Sequence, residues 1–133
     1  MIFSIDENGE ILELSSTNLT GEEISTIASD NVSDDGSGRI YVGTTGTDVL
    51  VFNSIEDESK ISIWNSGRDG INNIYITNNH VYICADSGVG YFSDGNNFSD
   101  INGISADSYV SDMIIDYEGN YWFASSKTGL YYL

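Results

Sequence analysis

The segment Ile40-Tyr-Val-Gly-Thr44 recurs as Val81-Tyr-Ile-Cys-Ala85 and Tyr121-Trp-Phe-Ala-Ser125, and this recurrence decides the fold. The three segments begin 41 and then 40 residues apart. Each is short and rich in β-branched and aromatic residues, a composition typical of strands rather than helices. A fixed period of this length predicts a tandem array of one supersecondary unit.

Further apolar runs flank these segments at matching distances. The runs that precede them are 24–27, 71–74 and 110–113, and those that follow are 49–52, 89–92 and 130–133. A weaker fourth run covers 61–64 in one unit and 98–101 in the next. Four short strands in about 40 residues is the spacing of a β-propeller blade. The sequence therefore predicts an all-β fold made of β-propeller blades, each a four-stranded antiparallel sheet.

The predicted blades are out of phase with the numbering of the chain. Residues 1–15 are expected to form the end of one blade, 24–65 and 71–101 two full blades, and 110–133 a partial blade. This amounts to about three blades, whereas closed propellers have four to eight. We therefore expect an incomplete ring, which is either part of a larger propeller or completed by self-association.

Composition narrows the classes of partner. The 133 residues carry a net charge of −17, from 21 acidic and only four basic residues. Such a surface repels nucleic acid and anionic membranes, and suits cations, neutral sugars or basic protein patches. No apolar stretch approaches the roughly 18 residues of a membrane span, and the first residues lack the basic start of a signal peptide. We expect no nucleic-acid partner and no direct membrane contact.

The last unit carries a family motif. Asp116 opens an acidic turn, Gly119-Asn120 closes it, Trp122 follows in the next strand, and Gly129-Leu130 precedes two tyrosines. This pattern resembles the two-component regulator propeller repeat. The two earlier units match more loosely, since Tyr41 and Tyr82 stand where that repeat has tryptophan.

The resemblance implies a place in a larger protein. Members of the family form tandem propellers in the extracytoplasmic part of bacterial sensors, ahead of a membrane span and an intracellular kinase or cyclase. By resemblance, the chain is expected outside the cytoplasm (periplasmic or at the cell surface), as part of a membrane-bound signalling protein.

Most of the residue types that take part in catalysis or metal binding lie at positions that repeat from unit to unit. The aromatic residues at one repeated position are expected to pack between blades: Tyr41, Tyr82 and Trp122. The small residues at a second repeated position are expected to let neighbouring sheets approach: Gly43, Cys84 and Ala124. Cys84 is the only cysteine, so it forms no internal disulfide and no zinc site alone. His80, the only histidine, is expected in an exposed turn.

Acidic residues are concentrated in predicted hairpin turns, where Asp, Asn and Gly tolerate left-handed backbone conformations. The segment from Asn31 to Gly36 copies the start of a calcium loop, but its twelfth position is Val42 instead of a glutamate. The sequence contains no recognisable nucleophile–base pair, phosphate loop or histidine-based metal motif. We therefore predict no enzymatic activity, no catalytic residues, no metal site and no cofactor, with a propeller-type hydrolase as a distant alternative.

The loops that lead into each blade and those between its second and third strands are expected on one face. Residues there are predicted to bind a polar ligand such as an oligosaccharide: Arg68, Asp69, Asp86, Tyr109 and Lys127. The leading hypothesis is a non-catalytic sensor or ligand-binding propeller module. The alternative is a structural or protein–protein interaction propeller without a small-molecule ligand. In either case the exposed strand edges and inter-blade faces predict self-association.

Overall fold

The computed structural model describes residues 2–15, 21–30, 38–53, 61–77 and 80–133. These ranges form thirteen β-strands and no helix, so the all-β prediction is confirmed for them. They accordingly contain no helix that is long and apolar enough to cross a membrane. The described strands do not close into a ring.

The strands form four antiparallel sheets, numbered here in chain order. Sheet I contains β1 (Ile2–Ile5) and β2 (Ile11–Ser15). Sheet II contains β3 (Ile24–Ser29), β4 (Ile40–Thr44), β5 (Asp48–Phe52) and β6 (Ile61–Asn65). Sheet III contains β7 (Ile71–Thr77), β8 (His80–Ala85), β9 (Gly88–Asp94) and β10 (Asn97–Asp100). Sheet IV contains β11 (Asp112–Ile115), β12 (Tyr121–Ser125) and β13 (Gly129–Tyr132).

In every sheet each strand pairs with the next strand in the chain, so sheets II and III are four-stranded meanders and sheet IV has three strands. Register defines equivalent positions across the sheets. The repeated aromatic residue of the second strand pairs with the third strand in each case: Tyr41 with Val51, Tyr82 with Tyr91, and Trp122 with Tyr132. The small residue two positions later pairs likewise: Gly43 with Val49, Cys84 with Val89, and Ala124 with Leu130.

Sheets II, III and IV stack face to face, with their first strands adjacent. Strand β7 lies next to β3 on one side and next to β11 on the other. One buried cluster joins sheets II and III and includes Tyr41, Val51, Ile83 and Phe92. A second cluster joins sheets III and IV and includes Tyr82, Cys84, Met113 and Phe123. Apolar burial between successive sheets is therefore the main source of stability.

The predicted packing of the repeated aromatic residues holds for two of the three. Tyr41 and Tyr82 are buried between sheets, and Gly43 and Cys84 occupy the predicted small-residue position beside them. Trp122 instead lies on the side of sheet IV that faces away from sheet III, where its ring packs on Tyr132 at a centroid distance of 4.7 Å. This side is equivalent to the one that carries Tyr41 and Tyr82, but no described strand covers it in sheet IV, so Trp122 is not packed between sheets.

Two local predictions were wrong. His80 does not lie in a turn: it begins β8, pairs with Thr77, and its ring centroid lies 5.1 Å from that of Tyr91. The run predicted at 110–113 is displaced, since β11 begins at Asp112. Val110 is buried but outside the strand because its backbone N–H donates to the Ala85 carbonyl of sheet III, at 2.9 Å.

Candidate functional site

The predicted ligand-binding loops lie along one edge of the stack, where they join consecutive sheets. The segment after β6 donates backbone hydrogen bonds to the β4–β5 turn, from Ser66 N to Thr47 O (2.9 Å) and from Gly70 N to Gly46 O (3.1 Å). The β8–β9 turn then donates back to that segment, from Asp86 N to Gly70 O at 2.9 Å. The loop edge is therefore a continuous link between sheets II and III.

Arg68 is held inside this link. Its side chain is only 12% exposed, one guanidinium nitrogen donates to the Ser87 carbonyl at 2.9 Å, and the other forms an ion pair with Asp100. Gly88 lies beside the guanidinium with a φ of 97°, a left-handed conformation that other residues adopt only with strain. The guanidinium thus has two partners within the protein, and its charge is paired with that of Asp100.

Asp69 and Asp86 flank Arg68 and also take part in the link. The Asp69 backbone N–H donates to the Ser87 hydroxyl at 2.6 Å, while the Asp69 side chain is exposed. The Asp86 carboxylate accepts from the Asn72 amide at 3.0 Å. A Cβ on Gly70 would lie 2.7 Å from the Asp86 carboxyl carbon, so this turn packs closely on the preceding loop.

Tyr109 and Lys127 form a second group. The Lys127 ammonium lies 4.4 Å from the centroid of the Tyr109 ring, within cation–π range. Lys127 is exposed and Tyr109 is half-buried. The structure therefore brings the five predicted residues together as two contact groups: Arg68, Asp69 and Asp86 around Ser87, and Tyr109 with Lys127.

Cys84 lies in the core. It is fully buried, and burial followed by the negative charge of Asp112 raises the pKa of its thiol to about 12. A thiol with that pKa stays protonated near neutral pH, so it is a poor nucleophile and metal ligand.

Across the described ranges no group of three or more His, Cys, Asp or Glu residues could hold a metal ion. The calcium-like segment 31–36 lies outside the described residues.

The motif residues of the last unit form one hydrogen-bonded turn. One carboxylate oxygen of Asp116 accepts from the backbone N–H groups of Glu118 and Asn120, both at 2.9 Å. Its other oxygen accepts from the Trp122 indole N–H at 2.9 Å and from the Asn120 amide at 3.0 Å. These bonds, that from Trp122 foremost, lower the pKa of Asp116 to about 2. The same turn geometry, with Asp6 accepting from Asn8 and Glu10, connects β1 to β2.

This turn gives a pH-dependent prediction. We expect Asp116→Asn to lower the melting temperature at neutral pH, because a neutral amide is a weaker acceptor than a carboxylate. The lowered pKa means that the Asp116 carboxylate stabilises the fold above its unfolded-state pKa, near 4, and that this contribution is lost as the pH falls through about 2. The wild-type and variant melting temperatures should therefore differ at pH 7 and converge near pH 2.

Thermal unfolding followed by circular dichroism at several pH values measures this convergence. Asp107→Asn, which removes the same charge at an exposed loop position, serves as the control and should show no such pH-dependent difference. A wild-type to Asp116→Asn difference that is as large at pH 2 as at pH 7 would contradict the assigned role.

The side of sheet IV that faces away from sheet III, called here the outer face, is a further candidate site. It carries a shallow groove of about 350 Å³, which is lined by Asp112, Met113, Ile114, Trp122, Ala124 and Leu130. Equivalent positions differ sharply in exposure: Val49 is 0% exposed, Val89 1% and Leu130 67%. The sequence predicts exposed inter-blade faces without naming these residues. Trp122 and Leu130 can be identified from the sequence repeat, because they occupy the positions that are buried in the earlier units.

No protein-family model matches the chain, and a search of curated proteins finds no match.

Proposed function

We propose that the chain is a non-catalytic protein-interaction module of the β-propeller type, which self-associates through the outer face of sheet IV. The observation that carries this proposal is the exposure of Leu130, whose equivalents Val49 and Val89 are each buried against the following sheet. An apolar surface of this kind is stabilised by removal from water.

The arrangement of the sheets supports the propeller type. Sheets II and III are four-stranded meanders in consecutive units of about 40 residues, their faces pack on each other, and their first strands lie side by side. A blade in such an array buries its two faces against its neighbours. By this comparison the outer face of sheet IV is the surface of a blade that needs a neighbour.

A second copy of the chain is the occupant we propose. At both internal junctions a face of this register packs on another sheet of the same repeat, so a second copy offers the kind of surface that such a face buries. Trp122 and Tyr132 provide the large aromatic groups that dominate protein interfaces. Because each copy carries a charge of −17, mutual repulsion opposes the contact, and added salt should strengthen association by screening it.

The test is Leu130→Asp. We expect the wild-type chain to sediment at a multiple of 14.5 kDa and the variant to sediment at 14.5 kDa. A carboxylate buried without a partner should raise the dissociation constant by at least about 100-fold. Sedimentation velocity over a concentration series, at low and high salt, measures both effects.

Tyr117→Asp is the matched control because it adds the same charge at an almost fully exposed turn residue that does not line the groove. It should associate as the wild type does. A wild-type chain that remains monomeric at all concentrations, or a Leu130→Asp variant that associates normally, would refute the proposal.

A ligand-binding sensor module is the second candidate. It is supported by the resemblance of the last unit and by Lys127, which presents an exposed ammonium against Tyr109. We place it second because Arg68 and Asp86, two of the polar groups expected to contact a ligand, hydrogen-bond across the loop edge instead. By the same resemblance this function would belong to an extracytoplasmic signalling protein.

A further inference from the structure

Sheets II and III form a pocket of about 200 Å³ between them, at the edge of the stack opposite the loop edge. Sheet II contributes Tyr41 and Trp64, and sheet III contributes Ile76, Val81 and Phe92. Tyr41, Val81 and Phe92 are buried, and the ring centroids of Tyr41 and Trp64 lie 5.8 Å apart. An apolar cavity of about 150 Å³ can bind benzene, so this pocket has room for one aromatic ring.

The pocket also has polar lining residues. Asp30 follows β3 and Arg39 precedes β4, and the Asp30 backbone N–H donates to the Arg39 carbonyl at 2.8 Å. Ser93 and Gly95, which are exposed, line the pocket from β9 and the turn after it. Burial raises the pKa of the Tyr41 hydroxyl, and a hydrogen bond from the exposed Arg39 side chain opposes this rise. The Tyr41 hydroxyl therefore belongs to the polar part of the pocket.

The next junction shows what the equivalent space can hold. In sheet IV Tyr121 occupies the register position that Val81 occupies in sheet III, and Tyr82 is the equivalent of Tyr41. The ring centroids of Tyr121 and Tyr82 lie 6.0 Å apart, and their hydroxyl oxygens 3.3 Å apart. Where sheets III and IV meet, a phenol ring thus packs beside the repeated tyrosine. Where sheets II and III meet, a valine stands at that position and a pocket lies beside it.

Charge narrows the choice of ligand. The net charge of −17 repels anions, and the guanidinium of Arg39 at the pocket repels cations. A phenol is neutral near pH 7 because its pKa is about 10, and its hydroxyl both donates and accepts hydrogen bonds. Such a hydroxyl suits a polar part that contains the Asp30 carboxylate, the Arg39 guanidinium and the Tyr41 hydroxyl.

We propose that this pocket, called here the junction pocket, binds a small phenolic compound with a single ring. The ring lies against Val81, as the Tyr121 ring lies in the next junction, and its hydroxyl bonds to Tyr41 and Arg39. The residues that line the junction pocket differ from those of the loop edge and of the outer face. The proposal is therefore independent of the proposed self-association.

The first test is fluorine NMR titration of the full chain with para-fluorophenol. We expect a dissociation constant on the order of 1 mM or lower for a ligand of this size. Val81→Tyr supplies the phenol ring from the chain itself and should weaken binding by at least about tenfold. Ile11→Tyr adds the same side chain at an exposed strand residue that does not line the pocket, and it should bind as the wild type does.

A second comparison does not depend on the folding of Val81→Tyr. Tyr41→Phe keeps the ring and removes the hydroxyl, so it should weaken binding of para-fluorophenol by about two- to tenfold, the range for one hydrogen bond. It should leave binding of para-fluorotoluene, which has no hydroxyl, unchanged. Tyr82→Phe is the matched control because it removes the equivalent hydroxyl of the next junction, and it should not alter binding of either compound.

Three results would overturn the proposal. The first is a wild-type chain that gives no saturable shift with para-fluorophenol. The second is a Val81→Tyr variant that keeps its near-ultraviolet circular dichroism and binds as tightly as the wild type, or a Tyr41→Phe variant that loses equal affinity for the phenol and the toluene. The third is tighter binding of para-fluorobenzoate or para-fluorobenzylamine than of para-fluorophenol, since the site would then recognise a charged group.

Discussion

Replacing Phe92 by alanine is expected to lower the free energy of unfolding by about 3–5 kcal/mol, the usual range for deleting a buried phenylalanine side chain. Phe92 is almost completely buried in the cluster that joins sheets II and III. Its ring centroid lies 5.1 Å from that of Trp64 in sheet II and 5.0 Å from that of Phe98 in its own sheet. The substitution therefore removes contacts within a sheet and between sheets at once.

The loss caused by Phe92→Ala should be large relative to the total free energy of unfolding. Domains of this size are stable by roughly 5–15 kcal/mol, so Phe92→Ala should remove a large share of the stability. Urea unfolding followed by tryptophan fluorescence measures the loss, since Trp64 packs directly on Phe92. Tyr117→Ala, at an almost fully exposed residue, is the control and should change stability by less than about 0.5 kcal/mol. A loss below about 1 kcal/mol for Phe92→Ala would contradict the assigned role of this cluster.

Gly43→Val is expected to destabilise the junction between sheets II and III from the opposite cause, overpacking. A Cβ at this position would lie 2.7 Å from the Cγ2 atoms of both Ile71 and Thr26, closer than real carbon atoms approach. Valine adds two further carbons, so the sheets must separate or the side chains must leave their preferred rotamers. The cost of such changes is typically about 1–3 kcal/mol.

The repeat provides a matched control for this substitution. Ala124 occupies the equivalent position of sheet IV but lies on the exposed outer face. Ala124→Val should therefore change the stability of the dilute monomer by less than about 0.5 kcal/mol. Equal effects of the two substitutions in urea unfolding would show that the close approach at Gly43 does not limit packing.

Much of the fold could be predicted because the sequence repeats its strand pattern. The segments beginning at Ile40, Val81 and Tyr121 are strands, and the positions of Tyr41 and Gly43 recur in register at Tyr82 and Cys84. The start of β11 could not be predicted because Val110 is as apolar as a strand residue. Its N–H bonds to Ala85 of another sheet, and periodicity within one unit does not reveal such a bond.

The candidate sites were predictable only in part. Strand order predicts that Arg68 and Asp86 belong to loops on one edge, and the structure brings them into one contact group. That Arg68 pairs with Asp100 and Ser87 depends on how two sheets are placed in space, which the local sequence does not encode. Leu130 has the same character as Val49 in sequence, and it differs only in whether another sheet covers it.

The loop edge also determines how the sheets influence one another during folding. Ser66 and Gly70, in the segment after β6, donate to the β4–β5 turn of sheet II, and Gly70 accepts from Asp86 of sheet III. At the next junction Val110 donates to Ala85 of sheet III. In such a chain each unit is coupled to its nearest neighbours, so stability is approximately a sum of unit terms and junction terms, as in a one-dimensional lattice. A defect in one junction should therefore weaken amide-exchange protection most strongly in the two sheets that share it.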